Sequence, residues 1–144
     1  MSQSSLPTLP CMCSSSRRAS RALTQIYERA LRPLGLRATQ FTILLMLSFA
    51  GEVTQGQLGE MLAMDSTTLT RTLEIMCRQG WIAERRGQDR RERRLHLAKR
   101  GRMKLNRALP VWEKVQLRLR RQMGEQVWNS LLQITNRVAD LIAT

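Results

Sequence analysis

Aromatic side chains make up only 4% of this 144-residue chain, as three Trp, two Phe and one Tyr. A core of that composition has to be aliphatic, with eight Met to fill gaps, and is expected to be helical. No apolar run approaches the roughly 20 residues that a membrane-spanning helix needs. The N-terminal MSQSSLPTLPCMC lacks the basic start and apolar centre of a secretory signal, so a cytoplasmic location is expected. Three Cys in a cytosolic chain do not make a disulfide framework. One His, no Gly-rich phosphate loop and no paired-carboxylate motif argue against an enzyme and against a bound cofactor. Acids are scarce as well: 11 against 24 basic residues, for a net charge of +13. Such an excess points to a polyanionic partner, either nucleic acid or an anionic membrane surface.

The most organised stretch is Asp65 to Gly80, DSTTLTRTLEIMCRQG. Asp65 is a good N-cap, and Gly80 is placed to close the helix. Leu69, Leu73 and Met76, with Cys77 beside them, form one apolar stripe at helical spacing. The opposite face reads Thr67, Thr70, Arg71, Glu74 and Arg78. Any surface helix has a polar face, so solvation alone explains part of this pattern. Hydroxyls followed by guanidinium groups near a helix N-terminus also suit phosphate oxygens and the base edges of a major groove.

The neighbours of that helix give it a context. Residues 1 to 13 are Ser/Pro-rich and are expected to be flexible, with a single domain from 14 to 144. A helix is predicted from Ser14 to Leu31, with Ala19, Leu23, Ile26, Tyr27 and Ala30 on one face and Pro33 and Gly35 stopping it. TQFTILLMLSFA, Thr39 to Ala50, is apolar almost all round and reads as a helix packed on several sides. Thr54 and Gln57 have capping-box spacing and start a short helix from Gln55 to about Ala63, with Leu58, Met61 and Leu62 inward. Two short helices across a tight turn make a helix-turn-helix with the second as reader. Trp81 to Arg86 and Leu95 to Leu97 then read as a hairpin, a wing whose tip and return carry Arg90, Arg91, Arg93 and Arg94. A long helix follows from Lys99 to Met123, kinked at Pro110, and a last one from Glu125 to about Ile142. The stripes Leu105, Leu109, Trp112, Val115, Leu119, Met123 and Val127, Leu131, Ile134, Val138, Leu141 fit partner helices better than a closed monomer core.

Element order and motifs together resemble the MarR family of winged helix-turn-helix transcriptional regulators, over nearly the whole chain from about Ser14. The resemblance is carried by Gly35-Leu36-Arg-Ala-Thr39-Gln-Phe41, Asp65-Ser-Thr-Thr-Leu-Thr-Arg71 and Gly80-Trp-Ile82. Most specific is Asp89-Arg-Arg91 followed by Leu95, Leu97 and Gly101, similar to the family's wing signature D-x-R…L-T-x-x-G. It implies a mostly α fold with a small β-hairpin wing, and a homodimer whose N- and C-terminal helices (about 14–34 and 99–144) interlock around a reading part at about 36–98. It implies a pseudo-palindromic duplex operator, a wing positioned by Asp89, and Arg91 reaching into the minor groove. The residues expected to serve duplex binding are Thr39, Gln55, Ser66, Thr67, Thr70, Arg71, Arg78, Asp89, Arg90 and Arg91. Two departures stand out: Ala98 replaces the usual Thr, and Arg93 falls where the strand is usually apolar, which leaves its inward or outward register open.

Within the family, aligning Tyr27 and the following Leu-Arg-Pro-Leu-Gly with the organic-hydroperoxide-sensing branch brings Cys13 onto that branch's reactive cysteine. Tyr27 then stands where a tyrosine engages it in the reduced state; a second tyrosine typical of the branch is missing, because position 17 is Arg. The residues themselves leave Cys11 and Cys13 three readings: inert thiols, an oxidation switch, or a Cys-x-Cys metal site without further obvious ligands. The switch requires thiolate, which a helix N-terminus and nearby arginines such as Arg17 and Arg18 favour. Tyr27 and Trp112 are core residues or the lining of an effector cleft. His96 reads as an exposed polar residue on the wing, and Cys77 as core. The expected function is a sequence-specific regulator, a repressor released by an oxidant or a small ligand. The alternative is a non-specific nucleic-acid packaging protein, which tolerates arginines anywhere, whereas reading needs them on one helix face and one wing.

Overall fold

The computed structural model describes residues 7–89 and 91–142. Helix α1 spans Met12–Leu31, with Cys11 as its N-cap residue. It starts two residues before the expected Ser14, as soon as Pro10 is passed, so Cys13 lies inside the first turn rather than ahead of the helix. A 3-10 turn, Arg32–Leu34, carries Pro33, and Gly35 closes it in the left-handed conformation at φ 70°. Helix α2, Ala38–Ala50, begins where the Gln40 side chain accepts a 2.9 Å hydrogen bond from the Arg37 N–H. Its Phe41, Ile43, Leu44 and Leu47 are all buried, as its nearly continuous apolar sequence demands.

Strand β1 is the pair Val53–Thr54 and leads directly into α3, Gln55–Leu62. The predicted capping box is present: Thr54 Oγ1 accepts from the Gln57 N–H at 3.1 Å, and Gln57 Oε1 accepts from the Thr54 N–H at 2.9 Å. Leu58 is fully buried, but Met61 is 44% exposed, contrary to its expected inward position. A two-turn helix buries one narrow stripe, and Leu58 with Leu62 at i+4, both expected inward, occupy it and leave Met61 outside. Helix α4, Ser66–Arg78, is capped by Asp65, whose carboxylate accepts from the Thr68 N–H at 2.9 Å. It ends in a Schellman motif, with the Gly80 N–H on the Cys77 carbonyl, the Trp81 N–H on the Met76 carbonyl, and Gly80 at φ 75°.

Strands β2 (Ile82–Arg86) and β3 (Arg93–Leu97) form the wing, and β1 joins them to make a three-stranded antiparallel sheet in the order β1-β3-β2. The two-stranded hairpin expected from the sequence is thus incomplete: a two-residue strand carries too little pattern to announce itself. The pairs Leu95–Glu84, Leu97–Ile82 and Leu95–Val53 settle the register of β3. Leu95 and Leu97 face the core, and Arg93 shares their face but lies beyond its edge, exposed.

Helix α5, Lys99–Met123, runs unbroken through Pro110, and α6 spans Glu125–Asp140. The long stripe on α5 differs from expectation. Leu105, Val115 and Leu119 are buried within the lone chain, and Leu109 and Trp112 pack on the core that holds Leu105, with Trp112 and Phe41 rings 5.8 Å apart. Packing against α1 and α2 covers that face, a pairing that the periodicity of one helix cannot reveal. The stripe on α6 is open, with Val127 at 55%, Ile134 at 57% and Leu141 at 72% exposure. On α1, Leu23, Ile26, Tyr27 and Ala30 are half-buried, but Ala19 is exposed. Among the described residues no single helix is long and apolar enough to cross a membrane.

One backbone joint holds α4, the wing and α5 together. The buried Trp81 carbonyl accepts the Ala98 N–H at 3.0 Å, and Gly101, one turn into α5, presses against the same peptide. A Cβ at Gly101 would stand 2.8 Å from the Trp81 carbonyl carbon and closer still to its oxygen. Gly101→Ala should therefore destabilise the fold by about 1–3 kcal/mol, despite the better helix propensity of Ala. Urea unfolding followed by circular dichroism measures this; a midpoint equal to or above wild type would mean that α5 stands off the Trp81 peptide.

Candidate nucleic-acid interface

The polar face of α4 is exposed where its sequence puts it. Ser66, Thr67, Arg71 and Arg78 are exposed, and Thr70 is half-buried. Thr70 donates its hydroxyl proton to the Ser66 carbonyl at 2.7 Å and accepts from the Gln55 side-chain amide at 2.8 Å. That bond ties the start of α3 to the reading face of α4, so Gln55 and Thr70 are held as a pair. Arg78 Nε reaches back to the Glu74 carbonyl at 3.4 Å. Arg71 makes no ion pair among the described residues and is free to extend.

A concavity of about 1050 Å³ lies between the α3–α4 turn and the wing. Gln55, Asp65, Ser66 and Arg91 line it, and Ala139 and Ile142 at the end of α6 border it. Arg91 at the wing tip is exposed, and its N–H donates to Asp89 Oδ1 at 3.2 Å, while the Asp89 carbonyl accepts from the Glu92 N–H at 2.9 Å. Asp89 is therefore a turn-forming residue that shapes the tip. Arg90 lies outside the described residues. Thr39, in the first turn of α2, is exposed but does not line this concavity.

The wing arginines divide into two groups, which the sequence does not show. Register puts Arg85 and Arg94 on the outer face of the sheet, and Glu52, just before β1, meets both. Arg85 Nη2 is 2.5 Å and Arg94 Nη1 3.8 Å from Glu52 Oε1, and His96 Nδ1 is 4.0 Å from Glu52 Oε2. Arg94 also faces Glu92 at 3.5 Å, and Arg93 faces Glu84 at 3.8 Å. The expected arginine run is thus partly neutralised by acids of its own sheet. Arg86, at the far end of β2, is exposed and without such a partner among the described residues, and no motif in the sequence singles it out. Glu52 is equally silent in the sequence, because only the strand register brings it opposite two arginines.

The effector candidates lie apart from this face. Cys11 and Cys13 are both exposed at the start of α1. The Tyr27 hydroxyl donates to Gln116 Oε1 on α5, and burial pushes its phenol pKa up. Fourteen residues of helix separate Cys13 from Tyr27, about 21 Å along the axis, so the two do not meet within one subunit. Tyr27 and Trp112 line a cleft of about 700 Å³, bounded by α1, α2 and the apolar stripe of α6. Cys77, expected in the core, is half-buried against it, and burial pushes its thiol up. Among the described residues no cluster of three His, Cys, Asp or Glu side chains is placed to hold a metal.

Comparison with known proteins agrees with this geometry. A family model described as MarR family matches residues 34–92. The M. tuberculosis transcriptional regulator MosR, solved in complex with DNA, is 36% identical, with 92% of this chain and 96% of that chain covered and a TM-score of 0.83. A mutant of E. coli MarR complexed with operator DNA shares the fold at a TM-score of 0.78 and 20% identity, over 88% of this chain and 92% of that one. An uncharacterized HTH-type transcriptional regulator of Bacillus subtilis (strain 168), YwoH, is 31% identical over 81 residues. That match spans 56% of this chain and 59% of the relative's length.

The acid clamp on the wing has a pH signature. Hydrogen bonding from Arg85, with the charges of Arg85, Arg94 and His96, holds the Glu52 carboxyl below its usual value of 4.5. A depressed carboxylate contributes stability above its unfolded pKa and loses it as pH falls through the folded one. The gap in urea midpoint between wild type and Glu52→Gln should be present at pH 6, shrink below about pH 4 and close under acid. A gap independent of pH would show that the carboxylate charge has no part in holding the wing.

Proposed function

The chain belongs to the MarR family of DNA-binding transcriptional regulators, and on that premise we propose that it is a homodimeric, sequence-specific repressor of a pseudo-palindromic operator. The observation that carries the reading is the joined α3–α4–wing surface, in which Gln55, Ser66 and Arg91 line one concavity and Arg71 is exposed further along α4. Arg71 and Thr67 serve the major groove, Ser66, Thr70 and Gln55 the backbone at its edge, and Arg91 with Arg90 the minor groove. Arg78 and Thr39 add flanking phosphate contacts, and Asp89 keeps the tip folded. The open stripe of α6, with the apolar cleft of about 700 Å³ between it and the body, supports pairing with the helical ends of a second copy. Two reading helices related by a two-fold then fall in successive major grooves, about 10 base pairs apart.

Selection from a random duplex library tests this. The expected product is an enriched pseudo-palindrome, and Arg71→Ala should cost about 1–3 kcal/mol and relax selectivity at one position of each half-site. A library that yields no palindrome would overturn the regulator reading in favour of packaging.

For release, the exposure of Cys13 in the first turn of α1 supports an oxidant as effector. An organic hydroperoxide passes one oxygen to the thiolate, which becomes sulfenic acid while the alcohol leaves; the sulfenic acid then condenses with a second thiol and releases water. A thiol of the partner subunit or a small-molecule thiol is the candidate second sulfur, because Cys11, only two residues from Cys13, is a poor partner whose disulfide would be strained. Hydroperoxide should release wild type from operator, reductant should restore binding, and Cys13→Ser should stay bound. A Cys13→Ser protein that responds like wild type would move the effector to a small ligand in the cleft beside Tyr27 and Trp112.

A further inference from the structure

The positive charge of this protein is not where the reading surface is. Residues 36–98, which hold the helix-turn-helix and the wing, carry nine basic and seven acidic side chains. The helical ends, 1–35 and 99–144, carry fifteen basic and four acidic ones. Nearly all of the +13 therefore lies on α1 and α5 and their flanks, and duplex reading by α4 and the wing leaves it unexplained.

On α5 that charge is ordered. Arg100, Lys104, Arg107, Lys114, Arg118 and Arg121 fall within an arc of about 100° when the helix is wound at 3.6 residues per turn. The stripe extends about 32 Å, close to the roughly 34 Å of one duplex turn. All are exposed except Lys104, which is half-buried with its ammonium 5.4 Å from the Trp81 ring. None of the six makes an ion pair among the described residues. The nearest acid on the helix in sequence, Glu113, falls outside the arc. The stripe borders a groove of about 500 Å³ between α1 and α5, where Lys114 and Arg118 face Arg29 across an apolar floor of Ile26, Ala30 and Val111. At its other end, Arg100 packs beside Gly80, at the end of the reading helix.

We propose that this α1–α5 face is a second, sequence-independent surface for duplex nucleic acid, gripping the phosphate backbone along α5. A second copy of the chain does not cover this basic row, because it brings the same charge excess; the pairing proposed above runs through the apolar stripe of α6 instead. Of the four acids on the helical ends, Glu28 and Glu125 already hold Arg37 and Arg120. A partner for so long an acid-free row needs regularly spaced anions, and a duplex supplies one charge per roughly 1.7 Å of axis. The proposal goes beyond operator reading and does not rest on it: this surface gives affinity without selectivity, and holds flanking or second duplex segments.

The test uses the full chain and a random-sequence 30-base-pair duplex, titrated by fluorescence anisotropy across salt. Replacing Arg107, Lys114, Arg118 and Arg121 together by Gln leaves the buried face of α5 intact. That variant should bind random duplex at least tenfold more weakly, and its log–log salt slope should fall by about 0.9 for each phosphate it no longer neutralises. A charge-keeping variant, with Arg107→Lys, Arg118→Lys and Arg121→Lys, should bind within about threefold of wild type. Affinity for a selected operator, relative to random duplex, should rise in the Gln variant, because only the unselective grip is removed. An unchanged random-duplex affinity and slope would overturn the proposal. So would stripe-dependent binding to phosphatidylserine vesicles without stripe-dependent duplex binding, which would assign the face to a lipid surface. Failure to find any operator would sink the regulator reading and leave this result standing.

Discussion

The structure turns on the peptide of Trp81. Its N–H closes the reading helix on the Met76 carbonyl, and its carbonyl receives the Ala98 N–H that opens α5. Gly101 lies against that carbonyl because no side chain fits there, and Lys104, one turn on, reaches the Trp81 ring. The end of α4, the root of the wing and the start of α5 therefore share one residue. The attitude of the reading helix to the wing is set by backbone packing rather than by long side chains. A small misplacement at this joint would shift α4 and the wing relative to each other.

Around that joint the polar side chains do positioning work before any meeting with DNA. Gln55 holds Thr70, Asp65 caps α4 through Thr68, and Asp89 folds the wing tip. Glu52 gathers Arg85 and Arg94 on the outer face of the sheet and ties the wing to the entry of the helix-turn-helix. The consequence is a reading head that is nearly balanced in charge, which suits selective contact: a balanced head gains less from any phosphate backbone and depends more on fitting the right bases. Non-selective attraction then falls to the basic helices. Recognition and bulk attraction occupy different faces of one small chain.

The helical ends follow the opposite plan. In α5 the apolar side is closed against α1 and α2 within the chain, while α6 leaves its apolar stripe open. The cleft beneath α6 has an apolar lining and is large enough to take helix side chains or a small aromatic molecule. Tyr27 sits in that cleft with its hydroxyl turned to Gln116 rather than towards the cysteines at the start of its own helix. Any engagement of Cys13 by Tyr27 thus requires two subunits, which links the redox reading to the dimer reading.

What the sequence alone determined were the features encoded locally: the Asp65 cap, the Thr54–Gln57 capping box, the glycine stop at Gly80, the limits of α5 and the apolar stripe of α4. Each depends on residues within one or two turns of each other, so short-range spacing suffices. The wing was legible through its motif, with Asp89, Leu95, Leu97 and Gly101 at characteristic intervals. Only the tertiary structure decided what depends on register and helix pairing. It added β1 to the sheet, set Arg93 outside the core edge, matched Glu52 to Arg85 and Arg94, turned Met61 outward and closed the face of α5. The physical reason is the same throughout: a periodic pattern states that a face is apolar or charged, but not what covers it. That depends on partners dozens of residues away, and the chain meets them only when it folds.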